Sequence, residues 1–389
     1  MTPPATQSAA QNVSAEQFRA QFPALEHTTY FASCSQGALS GTLASALTEF
    51  QASLLDGSDP WPGWLERVEK ARGAFAALIG ARMDEIAIVS CASEGAYQVS
   101  SGFAWGPGQS IVTTELEFPS IAHVWLAQRP AGGRVRYADL VDGFATVESY
   151  EQVIDDATRL VSIPLISYRN GQRLPVAQIA TLARQRGAHV FIDAYQGVGV
   201  EPIDVTALDC DYLVSGALKY LLGIPGLAFL YVRTGTPRDL DPSLTGWFAR
   251  ADPFSFNPRE LDFAATARRY QTGTPPVAAA YGALAGLQLL SSVEPATIAA
   301  HVSALTDYLH TELSRRGERI ASPAVAESRG PQVALRDPEP ERLAAYLADQ
   351  RIITSPRADL LRLAVHYYTN TADVDTVVQA IYDFRTQRW

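Results

Sequence analysis

Hydrophobic and polar positions alternate along this chain in two rhythms. Short apolar runs recur at 86–89, 110–113, 159–163, 190–192, 212–214 and 226–232, bounded mostly by small or polar residues. Runs of that length and composition read as strands buried on both faces of a parallel sheet, and 226–232 is placed to return antiparallel. Between the runs the spacing becomes helical. Leu65, Val68, Ala71, Phe75 and Leu78 recur every three or four residues and predict a helix over 64–79; a further helix covers 42–56, and the turn-rich segment 57–63 joins the two. Segment 135–165 supplies two strands around an amphipathic stretch. Pro175 opens and Gly187 closes a helix over 175–186, the crossover into the run at 190–192. Alternating strands and helices predict an α/β fold.

The two ends read differently. Ser14 and Gln17 fit a capping box for a short helix within 14–27, followed by a turn at Pro23, a strand at 29–31 and a loop of small residues, 32–37. Segment 234–262 is rich in Pro and Gly and contains Trp247; irregular stretches of that length are usually functional or interfacial. Beyond it, an apolar helix at 276–290, helices at 295–316 and 339–350 and short strands near 332–336 and 352–354 predict a small α+β unit. The expected organisation is a disordered lead-in, 1–13, a large domain, 14–275, whose first helix can pack on the small one, and a small domain, 276–389.

Composition removes several alternatives. The 389 residues carry 31 basic against 41 acidic side chains, a net charge of −10, with no basic cluster, so nucleic acid is not an expected partner. No apolar stretch reaches the length of a membrane span, and the first residues lack the charged and apolar regions of a signal peptide. Three widely spaced cysteines, Cys34, Cys91 and Cys210, without a Cys-x-x-Cys, argue against a disulfide framework and against zinc. The expectation is a cytoplasmic protein without a metal.

The candidate chemistry lies between Val190 and Lys219. One buried run ends on Asp193; the next ends on Ser215-Gly216, with Lys219 close behind. In parallel sheets ligands bind beyond the carboxyl ends of the strands, so both groups should face one crevice. An amine and a carboxylate so placed fit pyridoxal phosphate: the lysine forms a Schiff base with the cofactor aldehyde, and the acid keeps the pyridinium nitrogen protonated. Each residue alone also fits a plainer role, the acid capping a turn and the lysine lying exposed.

Asp193, Gln196 and Ser215-Gly216-Ala217-Leu218-Lys219 resemble the cofactor site of the class-V aminotransferase family, which includes cysteine desulfurases, selenocysteine lyases, kynureninases and isopenicillin N epimerase-like proteins. The resemblance extends from Tyr30 to about Asp375. It implies a large domain built on a mostly parallel seven-stranded sheet, with a smaller α+β C-terminal domain. It implies Lys219 as the Schiff-base lysine, Asp193 as the pyridinium partner, Gln196 on the phenolic oxygen and Ser215 on the phosphate. Ser90 to Ala96 resembles the family's phosphate segment, so Ala92 and Ser93 would donate backbone N–H groups at a helix start. Glu117-Phe118-Pro119-Ser120 resembles a variant in which an aromatic stacks on the pyridine ring; Phe118 alone would also suit an ordinary core. Tyr168 and Asn170 lie in a loop that approaches the ring or the substrate. Gly273-Thr274-Pro275 resembles the segment that reaches the partner subunit's phosphate and so implies a homodimer with shared sites. Arg362 matches the arginine that clamps a substrate carboxylate, for which a planar fork is suited. Cys34, Ser35 and Trp247 are expected near the substrate, although Cys34 also reads as a small buried residue.

The substrate is then an L-amino acid. Desulfurases carry a persulfide-forming cysteine shortly before the clamp arginine, a histidine where Phe118 stands and usually another where Ala217 stands; 351–361 holds no cysteine. The expected reaction is elimination or hydrolytic cleavage of a C–S or C–C bond, by a lyase without a persulfide cysteine. An aminotransferase or epimerase is the alternative, and a non-catalytic pyridoxal phosphate-binding protein the alternative from another class.

Overall fold

The computed structural model describes residues 13–237 and 240–386; the expected lead-in lies almost wholly outside them. Twelve strands are described: β1 (Thr29–Tyr30), β2 (Ile86–Val89), β3 (Ser110–Thr114), β4 (Arg134–Ala138), β5 (Thr158–Pro164), β6 (His189–Asp193), β7 (Tyr212–Gly216), β8 (Ala228–Val232), β9 (Gln332–Arg336), β10 (Ile352–Ile353), β11 (Ser355–Arg357) and β12 (Leu360–Ala364). Seven of them form one sheet in the order β2-β8-β7-β6-β5-β3-β4. Only β8 runs against its neighbours, as its position in the sequence predicts. Val190, Phe191 and Ile192 are completely buried. Removing such side chains from water on both faces stabilises the centre of the sheet by roughly 1.5–3 kcal/mol each.

Helices cover both faces. The apolar spacing at 64–79 does form a helix, but it begins earlier, as Trp61–Leu78. Trp61-Pro62-Gly63, read as turn, is its first turn, because a proline there lacks only an N–H that has no intrahelical partner anyway. The crossover helix is Val176–Gln185. Helix Val277–Ser291, expected to open the small unit, packs against Gly41–Leu55 and Trp61–Leu78 of the large one.

The C-terminal strands form a separate sheet, β11-β12-β9, with Ser355 opposite Arg362. The single strand expected near 352–354 is two: β10 pairs with β1, and β11 turns back onto β12. The chain's beginning is thereby stitched to its end. Ser14 and Gln17 form the expected capping box. Arg19 binds the Asp373 carboxylate at 2.7 Å, Phe18 stacks on His366, and Ala32 bridges Ala364. Burial lowers the His366 pKa to about 4. Its neutral ring accepts from the Tyr367 N–H at Nδ1 and donates from Nε2 to the Tyr220 carbonyl. That neutral ring holds the segment after Lys219 against β12, and the 32–37 loop is brought over the carboxyl ends of β6 and β7.

Candidate active site

Asp193 is the last residue of β6 and is almost fully buried. Its Oδ1 accepts the Tyr195 N–H at 2.9 Å, which aims the carboxylate along the strand end. Lys219 follows β7 and is also buried. Burial lowers its pKa to about 8, opposed by Asp193 and Cys34 and reinforced by the Arg362 and Arg357 charges. Its Nζ lies 5.2 Å from the centre of the Phe118 ring and 4.2 Å from that of Tyr195. The amine thus sits between two aromatic faces in a narrow cavity that Asp193, Gln196 and Tyr168 also line. Gly37 closes over it; a Cβ there would stand 2.4 Å from the Lys219 carbonyl oxygen, so no other residue fits.

Two buried polar groups lack the partner their chemistry asks for. Gln196 donates from Nε2 to the Cys34 carbonyl at 3.0 Å, but its Oε1 is buried without a hydrogen bond. A cofactor hydroxyl at that point would complete it. Arg362 is 1 % exposed, and its guanidinium is held by neutral acceptors: the Tyr168 carbonyl at 2.9 Å, Ser355 Oγ at 2.6 Å and the Ser355 carbonyl at 3.3 Å. A buried cation with neutral partners suits an incoming carboxylate. An amine with a lowered pKa, a buried carboxylate, an orphaned amide oxygen and a charged clamp are together the donor set that pyridoxal phosphate and an amino acid require.

Phe118 caps helix Pro119–Leu126 and meets the Tyr168 ring edge-on at 5.0 Å. Helix Ala92–Ser101 starts beside the strand ends. Glu94 reaches back to accept the Ser90 N–H at 2.7 Å, while Cys91 at the cap position offers no side-chain bond to the first turn. The N–H groups of Ala92 and Ser93 therefore stand at an anion-ready helix start.

Three expected contacts, those of Ser215, Asn170 and Trp247, are turned elsewhere on this chain. Ser215 belongs to β7, where side chains alternate between faces. Val214 packs with Ala92 and Ala96 on one face and Leu213 lies in the core on the other. Ser215 shares Leu213's face, so it points away from helix Ala92–Ser101, and its hydroxyl lies 3.4 Å from the Gly216 carbonyl. Asn170 commits its amide to structure, accepting from the Gln172 N–H and donating to the Gly143 carbonyl. Trp247 packs in a surface aromatic cluster with Trp61, Phe254 and Phe256. Gly273 and Thr274 are exposed on this chain, next to Thr272, whose hydroxyl donates to Glu94 at 3.2 Å. Cys34 is buried under the site, and Ser35 is half-buried beside it.

Two further residues stand at the site without a role that the sequence assigns, Glu117 and Tyr195. Glu117 is buried beside Asp193; burial first, then the Asp193 charge, raises its pKa to about 8, while Ser162 donates to it at 2.6 Å. An acid in the turn just after the buried strand Ser110–Thr114, one residue before Phe118, is the signal the sequence offers. Tyr195 lies between Asp193 and Gln196, and nothing in the sequence shows where its ring goes.

The match to the class-V aminotransferase family model spans residues 64–356. The chain is 36% identical to the uncharacterized aminotransferase YcbU of Bacillus subtilis, over 94% of this chain and 97% of that one. It is 28% identical to the kynureninase of Geobacillus thermodenitrificans, covering 93% of this chain and 89% of the relative. Among solved structures, the cysteine desulfurase of Thermococcus onnurineus superposes with a TM-score of 0.86 at 21% identity, over 95% of this chain and 97% of the other. The cystine C–S lyase C-DES superposes equally well at 22% identity, over 93% and 99%. Both likenesses establish the fold. No single helix among the described residues is long and apolar enough to cross a membrane. With the strand-end lysine and acid and the matched family model together, this chain belongs to the class-V aminotransferase family of pyridoxal phosphate-dependent enzymes.

Proposed function

We propose that the protein is a lyase acting on an L-amino acid, cleaving a C–S or C–C bond without a persulfide cysteine. The observation that carries this is the segment before Arg362. Arg357 pairs directly with Leu360, so only Ala358 and Asp359 turn the hairpin, and neither is a thiol. A relay needs an accessible thiolate at the substrate sulfur. Cys34 is fully buried, with its carbonyl held by Gln196, and Cys91 is exposed on the helix-start loop.

Pyridoxal phosphate, when bound, supplies the electron sink that accepts the electron pair from the substrate α-carbon. The chain's residues supply the rest. Arg362 fixes the substrate carboxylate. Asp193 holds positive charge at the ring nitrogen. Gln196 Oε1 would accept from the ring hydroxyl, and Phe118 would offer its face to the ring. Lys219 Nζ takes the α-proton and returns it, because Phe118 cannot exchange protons and the Tyr195 phenol, raised to about 12 by burial, stays protonated. An aminotransferase is the second reading, favoured by the name of the Bacillus subtilis relative; transfer of the amino group to a keto acid would separate it from the lyase.

Cys34→Ser is expected to keep most of the turnover on the true substrate. The products are then pyruvate, ammonia and the released leaving group after elimination, or alanine and a carboxylic acid after hydrolytic cleavage. Mass spectrometry should find no protein persulfide; a persulfide on Cys34, with activity lost in the serine variant, restores the desulfurase assignment.

We further propose a cytoplasmic homodimer with shared sites. The exposed Gly273-Thr274 pair and the surface cluster around Trp247 support it, as do three free cysteines. Sedimentation should give a dimer, and mixing Lys219→Ala with Thr274→Arg subunits should redistribute the two defects. A monomer with full activity contradicts this.

A further inference from the structure

We infer that the hydroxyl group meeting the cofactor phosphate from the sheet side comes from Tyr195, which takes the place that Ser215 cannot reach. The inference rests on the phosphate lying at the start of helix Ala92–Ser101.

Alternation along β7 puts Gly216, two residues after Val214, on the face toward that helix. Gly216 has no side chain, and the space is filled by Tyr195. A Cβ on Gly216 would stand 2.2 Å from the Tyr195 hydroxyl oxygen and 2.2 Å from Cζ. The phenol thus occupies the volume in which a side chain of residue 216 would begin, and the glycine is what admits it. The backbone at Tyr195 is anchored, since its N–H donates to Asp193 Oδ1 at 2.9 Å. The ring also carries the Lys219 amine 4.2 Å from its centre, so the hydroxyl end cannot swing away without exposing that contact. The ring packs against the apolar cluster that includes Ala92, Ala96 and Val214.

The state of the phenol suits a donor. Burial and the Asp193 charge push its pKa to about 12; the Leu218 backbone N–H opposes them, and the nearby Cys91 adds to them. Cys91 is the cap residue of helix Ala92–Ser101. The hydroxyl, at the position a Gly216 side chain would take, is protonated at neutral pH. As a protonated phenol it can donate to a phosphate oxygen. A hydrogen bond to a charged oxygen is among the stronger kinds.

The experiment compares two aldehydes on apo-protein. Wild type and Tyr195→Phe are stripped of cofactor, checked for equal thermal melting, and titrated with pyridoxal phosphate and with pyridoxal, which lacks the phosphate. Protein-bound absorbance reads the binding. Tyr195→Phe should weaken pyridoxal phosphate by about ten- to a hundredfold, the scale of a hydrogen bond to a charged group, and leave pyridoxal within about twofold. Equal losses for both aldehydes, or no loss for the phosphate form, overturns the assignment. A second pair guards against a packing effect. Tyr195→Ala should bind pyridoxal phosphate weakly, and adding Gly216→Ser, whose hydroxyl starts where the phenol lay, should recover at least a fivefold part of the loss. No recovery overturns the proposal as well. If wild type itself binds both aldehydes equally, the phosphate site at the helix start is wrong, a different failure from an unresponsive Tyr195→Phe.

Discussion

Lys219→Ala is expected to yield a folded protein that borohydride can no longer join covalently to its cofactor, with turnover reduced at least about a thousandfold. Loss of a positioned acid–base group alone costs about 10²–10⁴ in rate, and Lys219 is the group placed to exchange the α-proton. The amine is buried between the Phe118 and Tyr195 rings, and alanine leaves nothing of comparable basicity there. The lowered pKa adds a pH signature. Only the neutral amine attacks the cofactor aldehyde, and the neutral fraction grows as pH rises. Reconstitution of apo-protein should therefore quicken through about pH 8 and level off above it, whereas an unperturbed lysine would keep quickening to above pH 10. Covalent attachment to the alanine variant, shown by mass spectrometry after reduction, would reject the assignment.

Asp193→Ala is the second large effect, a loss of about 10²–10³ in turnover, the scale seen when a group that stabilises developing charge is removed. The carboxyl is buried, and burial raises its pKa even with Lys219 near. Glu117 beside it is raised too. Two buried acids with so little positive charge around them hold ionisation poorly, so a protonated ring nitrogen is the partner that makes the Asp193 carboxylate favourable. Asp193→Asn should lower turnover nearly as far while preserving the 193–195 turn, because the amide oxygen can still accept the Tyr195 N–H. The cofactor absorbance of the asparagine variant should shift with the altered ring protonation. Turnover near wild type in either variant sinks the role.

Much of this site is legible in the sequence. Apolar runs ending on Asp193 and shortly before Lys219 are strands because residues buried on both faces leave no other pattern, and strand ends of a parallel sheet share one edge. That the two groups converge follows from local rhythm alone. So does the helix start at Ala92, and so do the capped first helix and the antiparallel return of β8. What the sequence could not carry is which side of a strand each polar residue faces when the run is buried on both sides. The family resemblance put Ser215 on the phosphate; the pleat sends Ser215 to the far face and leaves Gly216 as the gap for Tyr195. Asn170 looked available until the tertiary structure bound its amide to Gly143 and Gln172. Arg362 is held as a buried charge by Ser355 across the hairpin and by the carbonyl of Tyr168, nearly two hundred residues away. Local periodicity determined the elements and the edge on which the chemistry sits. Contacts between distant segments decided which side chains reach it, because a hydrogen-bond partner or a filled volume belongs to the packed chain and to no stretch of it alone.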